Sequence, residues 1–295
     1  MADTKLTDSS NDVDGQAVVP ASALGNGNGV KPWTAITQSK WFGYAMVPLV
    51  FIVAVSIWEA ISRAGMVAAI ILPAPSAIGK SLLELVTAPF FPKHVQATLY
   101  ETVVGFLIAA VLGLFLGSII SQFPIMRTTL YPYIVAFQVL PKSALAPLFI
   151  TWFGFGVASK VVMSAVIAFF VVTLNTMVGL ESYAENEYLL MRSLQAKRWQ
   201  IFTKLKVPSA LPFVFAGFKN GITLALVGAV VGEFVAAQAG LGLLVEVYNF
   251  QMKIPLVFAT IIVLSLMGLA LYGIMELLDR KIVFWRTSSW EQDIL

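Results

Sequence analysis

The stretch that decides the fold is ESYAENEYLLMRSLQAKRWQIFTKLKVPSALP, residues 181–212, a basic segment set between two apolar runs. It carries Arg192, Lys197, Arg198, Lys204 and Lys206, five of the nineteen Lys and Arg in the chain. Cationic loops stay on the cytoplasmic side of a membrane, which places this segment there. It is far longer than a turn requires and amphipathic enough to fold as helices. A folded cytoplasmic elbow in a small membrane protein reads as a docking surface for a soluble partner.

Working outward, composition makes the membrane reading necessary. The chain of 295 residues is 58% hydrophobic and 12% charged, against about 25% charged in soluble domains. Its mean hydropathy is +0.84. So much apolar surface cannot be hidden inside a soluble protein of this length, and the class is an all-α polytopic membrane protein. No cysteine is present, which excludes a thiolate nucleophile, a disulfide or a thiol metal site. The one histidine, His94, argues against an imidazole metal centre or proton relay. Residues 1–40 are polar, contain GNGNG at 25–29, and lack the apolar core of a signal peptide. They read as a disordered cytoplasmic tail.

A span needs roughly 20 apolar residues. Six runs qualify: 42–61, 98–121, 129–153, 161–180, 212–236 and 255–277. An even count puts both termini on one side. With the termini inside, the inner segments hold Lys5, Lys31, Lys40, Arg127, the five elbow cations, Arg280, Lys281 and Arg286, twelve in all. The outer segments hold Arg63, Lys80, Lys93, Lys160 and Lys253, and Lys142 and Lys219 fall within spans. Twelve against five is a positive-inside bias, with both termini cytoplasmic. The membrane body covers 41–280, the elbow loop 181–210 and a C-terminal cytoplasmic tail 281–295. In the outer segment 62–97, ProAlaProSer at 73–76 opens an amphipathic stretch with Ile78, Leu82, Leu83 and Val86 on one face, read as an interfacial helix.

Several intramembrane features are candidates for function. Gly105, Ala109, Gly113 and Gly117 recur every four residues, and Gly221, Ala225, Gly228, Gly232 and Ala236 share one face of the fifth span. Such stripes allow close helix packing, or a seam beside a path, as Gly228 and Gly232 would then be. The third span is broken by Pro132, Pro141 and Pro147, with Gln138 and Lys142 beside the break. An intramembrane Lys there is a functional site by default, or it snorkels to the headgroups. Of Glu59, Glu101, Glu233 and Glu276, three lie at span ends and read as interfacial. Glu233 either lines a path, as the partner of Lys142, or holds the outer end together.

These segments resemble a known family. The matching residues are LeuProAlaProSer at 72–76, ProLysSerAlaLeuAlaProLeuPheIleThrTrpPheGlyPheGly at 141–156 and ArgSerLeu at 192–194. ArgTrpGlnIlePhe at 198–202, ValProSerAlaLeuPro at 207–212, GlyGluPhe at 232–234 and GlyLeuGly at 240–242 complete the set. In this order they resemble permease subunits of ATP-binding-cassette importers, in the branch for nitrate, sulfonates, taurine, bicarbonate, pyrimidine precursors and aromatic acids. The resemblance implies a type I importer fold with a coupling helix between the fourth and fifth spans. Coupling would fall to Leu190, Met191, Arg192, Ser193, Leu194, Gln195, Ala196, Lys197, Arg198 and Trp199, on a helix from Asn186 to Trp199. The family's loop motif is Glu-Ala-Ala, three residues, Gly, nine residues, Ile, one residue, Leu-Pro. With its proline on Pro208, Leu189, Leu190 and Met191 replace the Glu-Ala-Ala, and Gln195 replaces the Gly. That departure concerns which ATPase is used.

The partners implied are an ATPase dimer, a second permease copy as a homodimer, an extracytoplasmic substrate-binding protein and lipid, with no nucleic acid. The place implied is the bacterial inner membrane. The chain lacks GxxxxGK[ST], so ATP and Mg would be bound by the partner ATPase and no cofactor by this chain. It would transmit force and do no bond chemistry. The alternative class is an ion-coupled secondary transporter, against which stand the folded elbow and the lack of an inverted repeat. A membrane enzyme has no His, Cys or paired-Asp constellation to support it.

Overall fold

The computed structural model describes residues 40–285; of the tails read from sequence at 1–40 and 281–295, 1–39 and 286–295 lie outside them, and the last helix runs on to Ile282. The chain divides after Ser56 into two units, and the described residues of the first form the start of helix α1 (Lys40–Arg63). The second holds α2 (Pro75–Thr87), α3 (Phe91–Gln122), α4 (Pro124–Val139), α5 (Ala146–Phe153) and α6 (Val157–Leu180). It continues with α7 (Glu185–Ser193), α8 (Arg198–Ile201), α9 (Val207–Ala236), α10 (Leu241–Phe250) and α11 (Ile254–Ile282). Among the described residues, five helices are long and apolar enough to cross a membrane, or six if α4 and the stretch Lys142–Phe153 form one broken span. All-helical architecture follows from the solvent: in lipid each backbone polar group must be paired within its own segment.

The core is a close-packed trio of α3, α6 and α9, and the small-residue stripes make it. A Cβ added at Gly113 would meet Val172 at 2.8 Å, and at Gly117 would meet Thr176 at 2.8 Å. At Gly228 it would lie 2.7 Å from the backbone of Ser164. Without glycine these helices could not approach backbone to backbone, which is how helices gain packing where lipid is as apolar as the core. Phe106, Ala109, Ala168, Ile222 and Ala225 fill the middle of the trio.

The third span is broken more sharply than its prolines alone predict. α4 and the following segment meet at 85°. Pro141 and Pro147 withhold two backbone donors, and Lys142–Leu145 makes a tight 3-10 turn between the halves.

Two expectations are corrected, and the stretch 237–254 proves to contain α10. This helix packs with α2 and the start of α11 through Leu85, Leu241, Leu244, Tyr248, Leu256 and Val257. The buried residues of α2 are Ile78 and Leu85, while Leu83 and Val86 are exposed. Its packing on α11, rather than a membrane surface, selects the face. Lys160 is not in a loop, because α6 begins at Val157 and carries it inward in its first turn.

Candidate functional site

Chemistry-bearing side chains gather at each end of α9, with Lys142 and Lys219 standing apart from both. At the first, the elbow, α7 ends at Ser193 and not near Trp199. The Gln195 N–H donates to Arg192 O and the Ala196 N–H to Met191 O, each at 3.0 Å, with Gln195 at φ 56°. This pair of bonds around a left-handed residue is a Schellman stop. The chain restarts at α8, where the Lys197 N–H donates to Gln200 Oε1 at 2.7 Å. A widened π turn at Phe202–Lys206 then leads into α9 without a break. Pro208 lies just beyond it, and its ring would crowd the carbonyl four residues back in a regular turn.

The elbow therefore presents two short helices and a kink in place of one helix. Its apolar side chains point outward: Leu190 is 61%, Leu194 70% and Trp199 71% exposed. Arg192, Ser193, Gln195, Lys197 and Arg198 are exposed beside them, while Met191 and Ala196 are half-buried. The elbow is braced against α4 by the Arg127–Glu181 ion pair at 2.8 Å. Between them lies a cavity lined by Thr128, Tyr131, Met177 and Val178.

At the opposite end of α9, Glu233 is 0% exposed. Thr98 Oγ1 donates to Glu233 Oε1 at 2.6 Å, and the Gly242 N–H donates to Glu233 Oε2. The same Thr98 oxygen accepts from the Leu241 N–H at 2.8 Å. The Gly240 N–H donates to His94 Nδ1 at 3.0 Å. The first amides of α10 are thus capped by side chains from α3 and α9, with a carboxylate at the positive end of the helix. A Cβ at Gly240 would collide with the Glu233 carboxyl carbon, and at Gly242 would lie 2.7 Å from Oε2. The glycines of GlyLeuGly are there to admit Glu233. Lys160, buried on α6, lies 3.8 Å from Glu101 on α3 and donates to Gly156 O at 3.2 Å. Gly232 packs on the stem of Lys160.

The expected Lys142–Glu233 pair is not formed. Glu233 is occupied by Thr98 and Gly242, and the Lys142 ammonium donates to Gln138 O at 2.8 Å while standing 5.4 Å over the Phe170 ring. Glu101 is buried rather than interfacial. Gly228 faces Ser164 and Gly232 faces Lys160, both inside the trio. Sequence reading also passed over Lys219 as a near-end residue. It bonds Glu276 and Asp279 on α11, each at 2.8 Å, and Arg280 holds Glu276 from the other side at 2.9 Å. The spacing of Glu276, Asp279 and Arg280 on one helical face was the available signal. Lys142 is then the deep span cation among the described residues with no carboxylate partner.

A packed trio of spans with a broken span beside it and a basic elbow is compatible with a transport permease, and the comparisons show that family. Residues 109–284 match the family model described as binding-protein-dependent transport system inner membrane component. The riboflavin transport system permease protein of Chloroflexus aurantiacus is 34% identical over 242 residues, covering 82% of this chain and 90% of the relative. The formylaminopyrimidine transport permease protein of Halalkalibacterium halodurans is 35% identical over 238 residues, 81% of this chain and 94% of the relative. The taurine transport system permease protein of Escherichia coli is 25% identical over 79% of this chain and 86% of its own. In fold, an inward facing structure of the MetNI methionine ABC transporter matches 65% of this chain and 95% of its own with a TM-score of 0.58 at 19% identity. The chain belongs to the family of binding-protein-dependent transport system inner membrane components. It is a multi-pass permease subunit of an ATP-driven importer.

Proposed function

We propose that this permease admits a small anionic solute past Lys142 and is driven by a separate ATPase that docks on the elbow. The unpaired state of Lys142 carries the reading. Among the described residues, the two other cations well inside a span, Lys160 and Lys219, are each matched by a carboxylate, as membrane burial demands. Lys142, at the break of the third span, is held by one carbonyl and stands on a ring that itself stacks with the exposed Phe137. A charge left unmatched at that depth needs water, a solute or a second chain against it rather than lipid. We take that face to be the path, completed by a second copy of the permease. The relative named for taurine fits a site offering one cation, for a sulfonate, an inorganic anion or an aromatic acid, while the one named for a formylaminopyrimidine, which carries no acidic group, fits the aromatic pair alone.

The elbow supports the ATPase assignment. Leu190, Leu194 and Trp199 are large apolar groups exposed where cations place them in the cytoplasm, so lipid does not cover them. A soluble partner with an apolar groove does. ATP and Mg are held by that partner, a substrate-binding protein delivers solute at the opposite face, and both termini are cytoplasmic. The test is Leu194→Asp, which leaves an exposed position folded but puts a charge into the groove, at a cost of about 2–5 kcal/mol in docking. The variant should reach the membrane and lose the ATPase on pull-down. Undiminished pull-down overturns the assignment of the elbow.

A further inference from the structure

The chain makes a left-handed turn at Gln195 before α9 and another at Gly240 after it. Between them the backbone runs helically from Arg198 to Val235, through the π turn. α9 is therefore a continuous rod with the elbow at its foot. At its head, Gly240 has φ 140°, an extended left-handed geometry closed to other residues, and this is where α10 would be free to swing. Yet three bonds span that joint: Gly240 N–H to His94, Leu241 N–H to Thr98 and Gly242 N–H to Glu233.

The way these amides are capped is informative. A Ser or Asn at the cap position would satisfy the first turn of α10 locally, at little desolvation cost. Here the cap position is Gly240, which has no side chain, and the work is done by groups on α3 and α9. One of them is a fully buried carboxylate, an expensive choice inside a membrane bundle. A local cap would fix α10 to itself. A remote cap fixes its direction relative to α9. α10 in turn packs on α2 and α11 through Leu85, Leu244, Tyr248 and Val257, so whatever moves α10 moves that apolar cap.

Resting on the permease reading above, we propose that Thr98 and Glu233 are positioning residues of the transport cycle. By holding the first turn of α10 from within the bundle, they fasten the cap to the head of α9, so that elbow and cap move as one body. The cap then reports the elbow's position to whatever docks at that face, and a docked binding protein reaches the ATPase through the same rod.

The test uses the complete importer, with its ATPase and binding protein, reconstituted in lipid vesicles. Thr98→Val keeps the shape of the side chain but removes both the donor to Glu233 and the acceptor for Leu241. Thr98→Ser keeps the hydroxyl. The expected result is that Thr98→Val assembles, retains basal ATP hydrolysis, and loses at least ten-fold of the stimulation by loaded binding protein. Thr98→Ser should stay within two-fold of the original stimulation. A Thr98→Val importer with full stimulation overturns the proposal, and so does Thr98→Ser losing stimulation equally.

Should Thr98→Val fail to assemble, a distance measurement decides. The chain has no cysteine, so Lys204→Cys and Phe250→Cys, both at exposed positions, can carry spin labels. With labelled chains diluted in unlabelled ones, the separation should be the same in the nucleotide-free and ATP-trapped states. A shift of more than about 5 Å, one helical turn, overturns the single-body reading. Failure of the unsubstituted chain to assemble with an ATPase would instead count against the importer reading itself.

Discussion

Gln195→Gly should strengthen the elbow, and the expected size follows from the backbone. Gln195 sits at φ 56°, closing the Schellman stop of α7. A residue with a Cβ pays roughly 1–2 kcal/mol in that region relative to glycine. Glycine returns about 0.5–1 kcal/mol of this through the greater freedom of the unfolded segment. The balance is a local stabilisation of about 0.5–1 kcal/mol, a slowing of opening by roughly two- to five-fold. Amide hydrogen exchange at Leu194, Gln195 and Ala196 measures this directly, because the last two donate the closing bonds. Gln195→Ala is the control: it keeps the Cβ, so exchange should stay as in the parent. Equal slowing by Ala and Gly, or no slowing by Gly, would refute the strain argument and point to a side-chain contact of Gln195 instead.

Lys142→Met should lose uptake of the anionic solute while the permease still co-purifies with its ATPase; full uptake would remove Lys142 from the path. Lys219→Met leaves Glu276 and Asp279 facing each other without their shared cation, a cost of about 3–5 kcal/mol. Thermal unfolding in detergent should show the loss, and Lys219→Met combined with Asp279→Asn should recover part of it. Membrane-impermeant thiol reagents on intact cells should label Lys93→Cys and Gln238→Cys and spare Lys197→Cys; labelling at 197 would invert the orientation.

The apolar spans, the elbow, the broken third span and the packing stripes were legible because each is written in consecutive residues, and a count of six holds if the bent pair is one span. Apolar length, cation distribution, proline and a four-residue period of glycine are local signals that lipid turns into structure directly. Even the odd residue at 195 could be read as a departure. That it marks a left-handed stop, which splits the elbow into two short helices, needed the backbone. α10 was missed because its ten residues are too short to register as a span.

Side-chain partnership was where sequence reasoning failed, and the reason is geometric. Lys142 and Glu233 looked like partners because both carry charge on the same side of the membrane. Choosing between Lys142, Lys160, Thr98 and the amides of Gly242 as the contact for Glu233 requires knowing how α3, α6, α9 and α10 are rotated about their axes. That rotation is set by which glycines interlock with Ser164, Val172 and Thr176 across the trio, a property of the packed helices together. Composition and periodicity thus determined that this chain spans a membrane several times and carries a basic elbow between two spans, and the order of its motifs carried the resemblance to a permease. The tertiary structure decided that Lys160 and Lys219 have carboxylate partners and that Lys142, among the described residues, has none. Matching depends on distances of 3 to 4 Å between residues far apart in the chain, and no local pattern encodes those.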